Sequence, residues 1–116
     1  MKVYISGKIG EEVLSAATRE KFAKAEAYLR EWDFDVFNPT TSGLGKLADE
    51  RAVQNGTDFY TEIMKLDLEQ LQGCDAIYML SDWKDSPGAR RELAEASKLG
   101  LPIWYEDSKN VYGDLQ

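Results

Sequence analysis

Residues 57–80, TDFYTEIMKLDLEQLQGCDAIYML, predict a helix followed directly by a buried strand. Apolar side chains recur at helical spacing as far as Gln72, and Gly73 is expected to end the helix. The run 75–80 is nearly all apolar, which is typical of a strand that is covered on both faces. A helix that leads into such a strand indicates an α/β protein with a parallel sheet.

The chain on either side of this stretch continues the alternation of strand and helix. Residues 40–56 are polar and contain three glycines, which predicts a long loop of the kind that forms lids or binding sites, with a short helix near 46–53. The crossovers predict a single domain over residues 1–116 whose ligands bind beyond the carboxyl ends of the strands. The predicted elements are strand 3–5, helix 15–32, strand 35–37, helix 57–72, strand 75–80, helix 86–100 and strand 101–105.

The composition excludes several kinds of chemistry. The 116 residues are 43% hydrophobic, which is enough for one core, and a net charge of −7 argues against long nucleic acids and membrane surfaces as partners. The absence of histidine excludes Ser-His-Asp and Cys-His catalysis. Because Cys74 is the only cysteine, neither an internal disulfide nor a thiolate zinc site is expected. The N-terminal segment has no long apolar run, so a cytoplasmic location is expected.

Two carboxylates break the apolar patterns of their helices. Helix positions advance by about 100° per residue, which places Asp67 within the apolar arc of the helix 57–72. The same construction places Glu92 among the apolar positions of the helix 86–100, above a helix start that exposes free N–H groups. Asp67 is either a structural carboxylate with a hydrogen-bonded partner or part of a site. Glu92 is either a functional carboxylate or a side chain that only complements the helix dipole.

Three further features lie at the predicted ligand edge of the sheet. Tyr4 lies in the middle of the first strand, either as a core aromatic with a bonded hydroxyl or as part of a site. The loop 6–10, SGKIG, contains two glycines but lacks the remaining residues of a phosphate-binding motif. Trp83 lies in a polar loop, where it either stacks on a nucleobase or packs beneath the loop.

Three segments together resemble the nucleoside 2-deoxyribosyltransferase superfamily, and within it the DUF4406 branch, whose function is unassigned. The segments are YISGKIG at 4–10, KLDLEQLQGCDAIYML at 65–80 and DWKDSPGARRELAEASKLGLPI at 82–103. The strongest signal is the spacing of Ser86, Gly88, Ala89 and Glu92 ahead of an alanine-rich helix. The resemblance implies a flavodoxin-like, Rossmann-like three-layer α/β sandwich with a small, mostly parallel sheet of four to five strands.

The resemblance also implies cleavage of the N-glycosidic bond of a nucleoside or nucleotide. Glu92 would be the nucleophile that attacks the anomeric carbon and forms a glycosyl-enzyme ester. Asp67 would bind a sugar hydroxyl or assist proton transfer to the departing base, and Tyr4 would orient the nucleophile. Ser86 occupies a position where serine is characteristic of 5′-monophosphate hydrolases. The substrate-binding residues implied are Ser6, Gly7, Lys8, Trp83, Ser86 and Gly88.

The family's assembly implies a homodimer or higher homo-oligomer in which a neighbouring subunit completes the site, with Ser108, Asn110 and Tyr112 as candidates in the tail. No metal or cofactor is implied. The partner expected is a small nucleoside or nucleotide. Two other hypotheses remain open, namely a non-catalytic nucleotide-binding or sensing domain and an oligomeric interaction module.

Overall fold

The computed structural model of the protein describes residues 1–9 and 14–106, which form strands and helices in alternation. The chain order is β1 (Lys2–Ser6), α1 (Ala16–Glu31), β2 (Asp35–Phe37), α2 (Leu44–Asn55), α3 (Phe59–Gln72), β3 (Ala76–Met79), a short 3₁₀ helix (Trp83–Asp85), α4 (Pro87–Leu99) and β4 (Ile103–Tyr105). The predicted elements are all present, with ends that differ by one or two residues.

The four strands form one parallel sheet in the order β2-β1-β3-β4. The chain first moves from β1 outward to β2 and then crosses back over β1 to β3. The strand order therefore reverses between β1 and β3, which is where ligands bind in open sheets of this kind. This arrangement confirms the predicted flavodoxin-like α/β sandwich, with four strands.

Helix α1 covers one face of the sheet with an apolar core. It begins at Ser15, whose hydroxyl accepts a hydrogen bond from the Thr18 N–H at 3.1 Å. Phe22 and Leu29 of α1 are buried against Val3 and Ile5 of β1. No titratable side chain belongs to this cluster among the residues that the structure describes, except the phenol groups of tyrosines.

Helices α3 and α4 cover the opposite face. Leu71 of α3 and Ala89 and Ala96 of α4 are buried against Tyr4 of β1 and Ile77 of β3. Helix α3 begins at Asp58, which accepts a hydrogen bond from the Thr61 N–H at 2.7 Å. Because side chains alternate along a strand, Tyr4 and Ser6 face α4 while Val3 and Ile5 face α1.

The segment 40–56 is mainly helical, which corrects the prediction of a long loop with a short helix at 46–53. Helix α2 spans Leu44–Asn55 and packs on α3. Gly43 and Gly56 bound it with φ angles of +78° and +65°, a conformation that glycine adopts without steric cost. Its polar composition hid the helix, because only Ala48 is fully buried.

None of the helices in the described ranges is both long enough and apolar enough to cross a bilayer.

Candidate functional site

Glu92 lies on the sheet-facing side of α4 and is 7% exposed. The Tyr4 hydroxyl donates to its Oε2 at 2.5 Å, and the Ser6 hydroxyl donates to its Oε1 at 2.6 Å. Both donors come from β1, where the alternation of side chains places them on one face. The carboxylate therefore has a fixed orientation, with one hydroxyl on each oxygen.

Burial and hydrogen bonding have opposite effects on the pKa of Glu92. Burial raises the pKa of Glu92 to about 7, against the hydrogen bonds from Ser6 and Tyr4, which lower it. Burial and the charge of Glu92 raise the pKa of Tyr4 well above its ordinary value. The phenol thus remains protonated at neutral pH and continues to donate its hydrogen bond.

Asp67 is a second buried carboxylate, on α3, with 6% of its surface exposed. Its Oδ1 atom has no hydrogen-bond partner among residues 1–9 and 14–106. Burial, with a further contribution from the charge of Glu92, raises the pKa of Asp67 to about 8. A buried polar atom without a partner is uncommon in proteins and requires an explanation. A ligand group that accepts or donates a hydrogen bond at Oδ1 is one such explanation.

Both carboxylates line a cavity of about 600 Å³ at the point where the strand order reverses. Its walls come from the segment after β1, from the first turns of α2 and α3, and from the first turns of α4. This volume falls within the range typical of small-molecule sites. The lining residues are Gly7, Lys8, Ile9, Leu14, Pro39, Thr40, Gly43, Gly45, Lys46, Asp58, Phe59, Tyr60, Ile63, Met64, Asp67, Asp85, Ser86, Pro87, Gly88, Ala89 and Glu92.

The structure brings most of the predicted site residues together at this cavity. Gly7 and Lys8 line it directly, whereas Tyr4 and Ser6 contact Glu92 from the sheet side. Trp83 is not among the lining residues, and its ring packs against Tyr105 with 5.8 Å between centroids. Trp83 is therefore packed on Tyr105 of β4 and does not line the cavity.

Ser86 and Gly88 form the start of α4 at the cavity wall. The Ser86 hydroxyl oxygen accepts a hydrogen bond from the Ala89 N–H at 3.1 Å, so this side chain caps the helix. Its own proton remains available to a ligand, because a hydroxyl both donates and accepts. A Cβ atom on Gly88 would lie 3.4 Å from Met64 Sδ and 3.5 Å from the Tyr60 hydroxyl, which is ordinary van der Waals contact.

Sequence reasoning missed the buried carboxylate of Glu62, which is 1% exposed. Its oxygens accept hydrogen bonds from the Thr57 hydroxyl at 2.6 Å and from the Asn55 amide at 3.4 Å. The hydrogen bond from Thr57 is the largest of the effects that lower the pKa of Glu62. Together with the contributions of Lys65 and Asn55 it outweighs burial, which raises that pKa. Glu62 therefore fastens the turn between α2 and α3. Its helical position next to Leu66 was the signal that could have revealed it.

Sequence reasoning also missed the wall that α2 and α3 supply. Gly45, Lys46, Phe59, Tyr60 and Met64 all line the cavity. The first two belong to α2, of which only a short helix at 46–53 was predicted, within a longer loop. Apolar residues in the first turn of α3 could have indicated this wall, had the position of α2 been known.

The described parts of the chain contain no group of three or more histidine, cysteine, aspartate or glutamate side chains placed to hold a metal ion. The tail candidates Ser108, Asn110 and Tyr112 lie outside the described residues, as does Gly10 of the first loop. Completion of the site by a neighbouring subunit therefore stays a prediction.

The structure is an α/β protein with a cavity at the switch point of a flavodoxin-like sheet. The chain belongs to the family described as a domain of unknown function, DUF4406, whose model matches residues 1–105. Among solved structures, it is similar to a 2-deoxyribosyltransferase from the psychrotolerant bacterium Bacillus psychrosaccharolyticus. The two share 21% identity and a TM-score of 0.61, over 90% of this chain and 71% of that chain. No curated protein sequence matches the chain. The family match and the shared fold confirm the resemblance inferred from the sequence.

Proposed function

We propose that the protein cleaves or transfers the glycosyl group at the N-glycosidic bond of a small nucleoside or nucleotide, with Glu92 as nucleophile. The observation that carries this proposal is the buried Glu92 carboxylate, held on both oxygens by Tyr4 and Ser6 beside a cavity of about 600 Å³. A side chain that only complemented a helix dipole would not need two hydroxyl partners from a strand.

In the first step, a Glu92 carboxylate oxygen attacks the anomeric carbon of the sugar. A C–O ester bond forms while the C–N bond breaks, and the bonding pair leaves with the base nitrogen. Because a carboxylate can form a covalent glycosyl intermediate, one difficult displacement becomes two easier ones. Tyr4 and Ser6 hold the attacking group in place, which lowers the entropic part of the barrier.

Asp67 supports this step as a proton donor to the departing base or as a hydrogen-bond partner of a sugar hydroxyl. Its raised pKa of about 8 keeps it mainly protonated at neutral pH, as a general acid requires. The free Oδ1 atom is available to substrate, since no described residue bonds to it. With Glu92 near pKa 7, the pair favours a bell-shaped pH dependence close to neutrality.

In the second step, water or a second base attacks the same anomeric carbon and releases Glu92. A water acceptor gives a hydrolase, and a base acceptor gives a transferase like the structurally similar enzyme. The resemblance of Ser86 to the serine of 5′-monophosphate hydrolases favours a monophosphate substrate with water as acceptor. The position of Ser86 supports the phosphate part, because a serine hydroxyl at a helix N-terminus is suited to bind phosphate oxygens. Small nucleosides remain the broader substrate class.

The experiment is incubation of the full chain with deoxynucleosides, ribonucleosides and their 5′-monophosphates, followed by chromatography for free base. We expect Glu92→Gln to lower base release by roughly 10³-fold or more, because it removes the nucleophile. Glu95→Gln is the matched control, since Glu95 lies on the same helix and only bonds to the exposed Gln72 amide. Acid-quenched wild-type protein should carry the glycosyl group on Glu92 by peptide mass spectrometry.

Base release that survives in the Glu92→Gln variant would contradict the mechanism. Ligand-induced stabilisation of the wild type with every substrate intact would instead favour the sensing domain. Neither base release nor stabilisation by any nucleotide would favour the interaction module.

Ser86→Ala tests the finer proposal about the phosphate. We expect kcat/KM for 5′-monophosphates to fall by about 10-fold or more relative to the matching nucleosides, because a hydrogen bond to a charged group contributes about 1.5–3 kcal/mol. The nucleoside is the internal control for the loss of the helix cap, which affects both substrates alike. Equal losses for both substrates would remove Ser86 from phosphate recognition.

A further inference from the structure

Two charged side chains outside the cavity hold the segment that follows β1. Lys21 of α1 donates from Nζ to the backbone carbonyl of Lys8 at 2.5 Å and also forms an ion pair with Asp82. The other oxygen of Asp82, Oδ1, accepts a hydrogen bond from the backbone N–H of Lys8 at 3.0 Å. The N–H and the carbonyl of Lys8 are therefore both bonded to side chains from other elements.

This arrangement extends the pairing of β1 beyond the end of the sheet. The last backbone bond between the two central strands runs from the Leu80 N–H to the Ser6 carbonyl at 2.8 Å. Two residues further along each segment, the Asp82 carboxylate replaces a backbone carbonyl as the acceptor for Lys8. Gly7 lies between these bonds, and a Cβ atom there would come within 2.7 Å of the Leu80 side chain. The path of residues 6–8 is thus fixed at both ends.

Residues 6–8 connect this anchor to the site. Ser6 donates to Glu92 Oε1, while Gly7 and Lys8 line the cavity. Lys21 and Asp82 are absent from the lining, and the side chains of both bond to the Lys8 backbone. Their side chains are 33% and 31% exposed, and ion pairs this accessible contribute little to global stability.

We propose that Lys21 and Asp82 are positioning residues: by holding the Lys8 backbone they keep the Ser6 hydroxyl on Glu92 and the cavity wall in place. The proposal rests on the proposed function for its catalytic consequence. Its structural content, the coupling of this ion pair to Glu92 through Ser6, holds whether or not the protein turns over a nucleoside.

The test compares Lys21→Met and Asp82→Asn with Lys24→Met, which removes an exposed pair with Glu20 on the same helix. The first readout is the titration midpoint of the Glu92 carboxyl, followed by ¹³C NMR without substrate. Because the Ser6 hydrogen bond lowers this midpoint, both positioning variants should raise it. The second readout is kcat/KM for base release, which should fall by roughly 10- to 100-fold through misplacement of the nucleophile. Lys24→Met should change neither.

A double-variant comparison separates positioning from a merely structural role. Ser6→Ala should reproduce the upward shift of the Glu92 midpoint. Adding Lys21→Met to Ser6→Ala should shift the midpoint no further, since both changes remove the same hydrogen bond between Ser6 and Glu92. A lower unfolding temperature with an unchanged Glu92 midpoint would overturn the proposal, as would shifts that add in the double variant. Absence of base release in the wild type would contradict the proposed function alone, because the NMR titration needs no substrate.

Discussion

The two faces of the sheet differ in what they bury, although they share the same strands. On the α1 face, Val3 and Ile5 pack with Phe22 and Leu29 in an apolar cluster. On the α4 face, the intervening Ser6 bonds to a buried carboxylate beside a cavity. In the five-residue strand β1, alternate side chains therefore face opposite sides. Val3 and Ile5 face the apolar core, and Tyr4 and Ser6 face the candidate site.

The comparison shows how a small α/β fold can contain buried carboxylates that lower its stability. Buried carboxylates require hydrogen bonds, and an unpaired one such as Asp67 lowers stability when it is charged. The apolar face has no such requirement and supplies hydrophobic stabilisation. We therefore expect substitutions within the apolar cluster of the α1 face to change stability, and substitutions of the residues that contact Glu92 to change activity.

The largest expected effect on the apolar face comes from Leu29→Ala. Leu29 is 2% exposed, and its truncation should lower the free energy of unfolding by about 2–5 kcal/mol through lost burial and a residual cavity. Denaturant unfolding measures this loss. The kinetic constants of the folded fraction should remain those of the wild type, and a change in kcat/KM below the unfolding transition would contradict the separation of the two faces.

An intermediate effect is expected on the other face from Tyr4→Phe. The ring stacks on Phe37 with 5.0 Å between centroids, and phenylalanine preserves that contact while removing the hydroxyl. A hydrogen bond to a charged group contributes about 1.5–3 kcal/mol, so its loss should lower kcat/KM roughly 10- to 100-fold. The rising limb of the pH profile should also move to higher pH, because the Tyr4 bond lowers the pKa of Glu92.

Tyr105→Phe is the control for that substitution, because it also removes a phenol hydroxyl, while the hydroxyls that bond to Glu92 are those of Tyr4 and Ser6. An unmoved rising limb in Tyr4→Phe would show that the phenol does not act on the nucleophile.

The last prediction concerns the pH dependence of stability in Asp67→Asn. The pKa of Asp67 is about 8 in the folded chain, against an ordinary value of 3.8. Between these values the folded state binds a proton that the unfolded state lacks, so stability falls as pH rises. Asparagine does not titrate, so in Asp67→Asn the fall between pH 5 and 8 should become shallower by on the order of 1 kcal/mol for each pH unit. Asp49→Asn on α2 controls for net charge, and identical slopes in wild type and Asp67→Asn would contradict the burial of an unpaired acid.

Local patterns in the sequence were sufficient to locate the two carboxylates. Asp67 and Glu92 were found because helical periodicity depends only on near neighbours, and a charge within an apolar arc is visible there. The structure confirms that both side chains are buried. The parallel direction of the strands was predicted in the same way, from the alternation of helices with apolar runs.

Relations between distant positions could not be predicted in this way. The Ser6 hydroxyl contacts a carboxylate 86 positions away, and nothing in the composition of either segment specifies that contact. The full length of helix α2 was not predicted, because the helix packs on α3 and ends at two glycines but has no apolar stripe of its own. Trp83 lies in a polar loop, yet its contact with Tyr105 depends on where β4 ends.

The bond between Tyr4 and Glu92 joins groups 88 positions apart in the chain. During synthesis, β1 therefore leaves the ribosome well before Glu92 has been translated. Loop closure of this length is slow and comes late in folding. Because α4 supplies part of the cavity wall, a nascent chain has no complete cavity until α4 has docked.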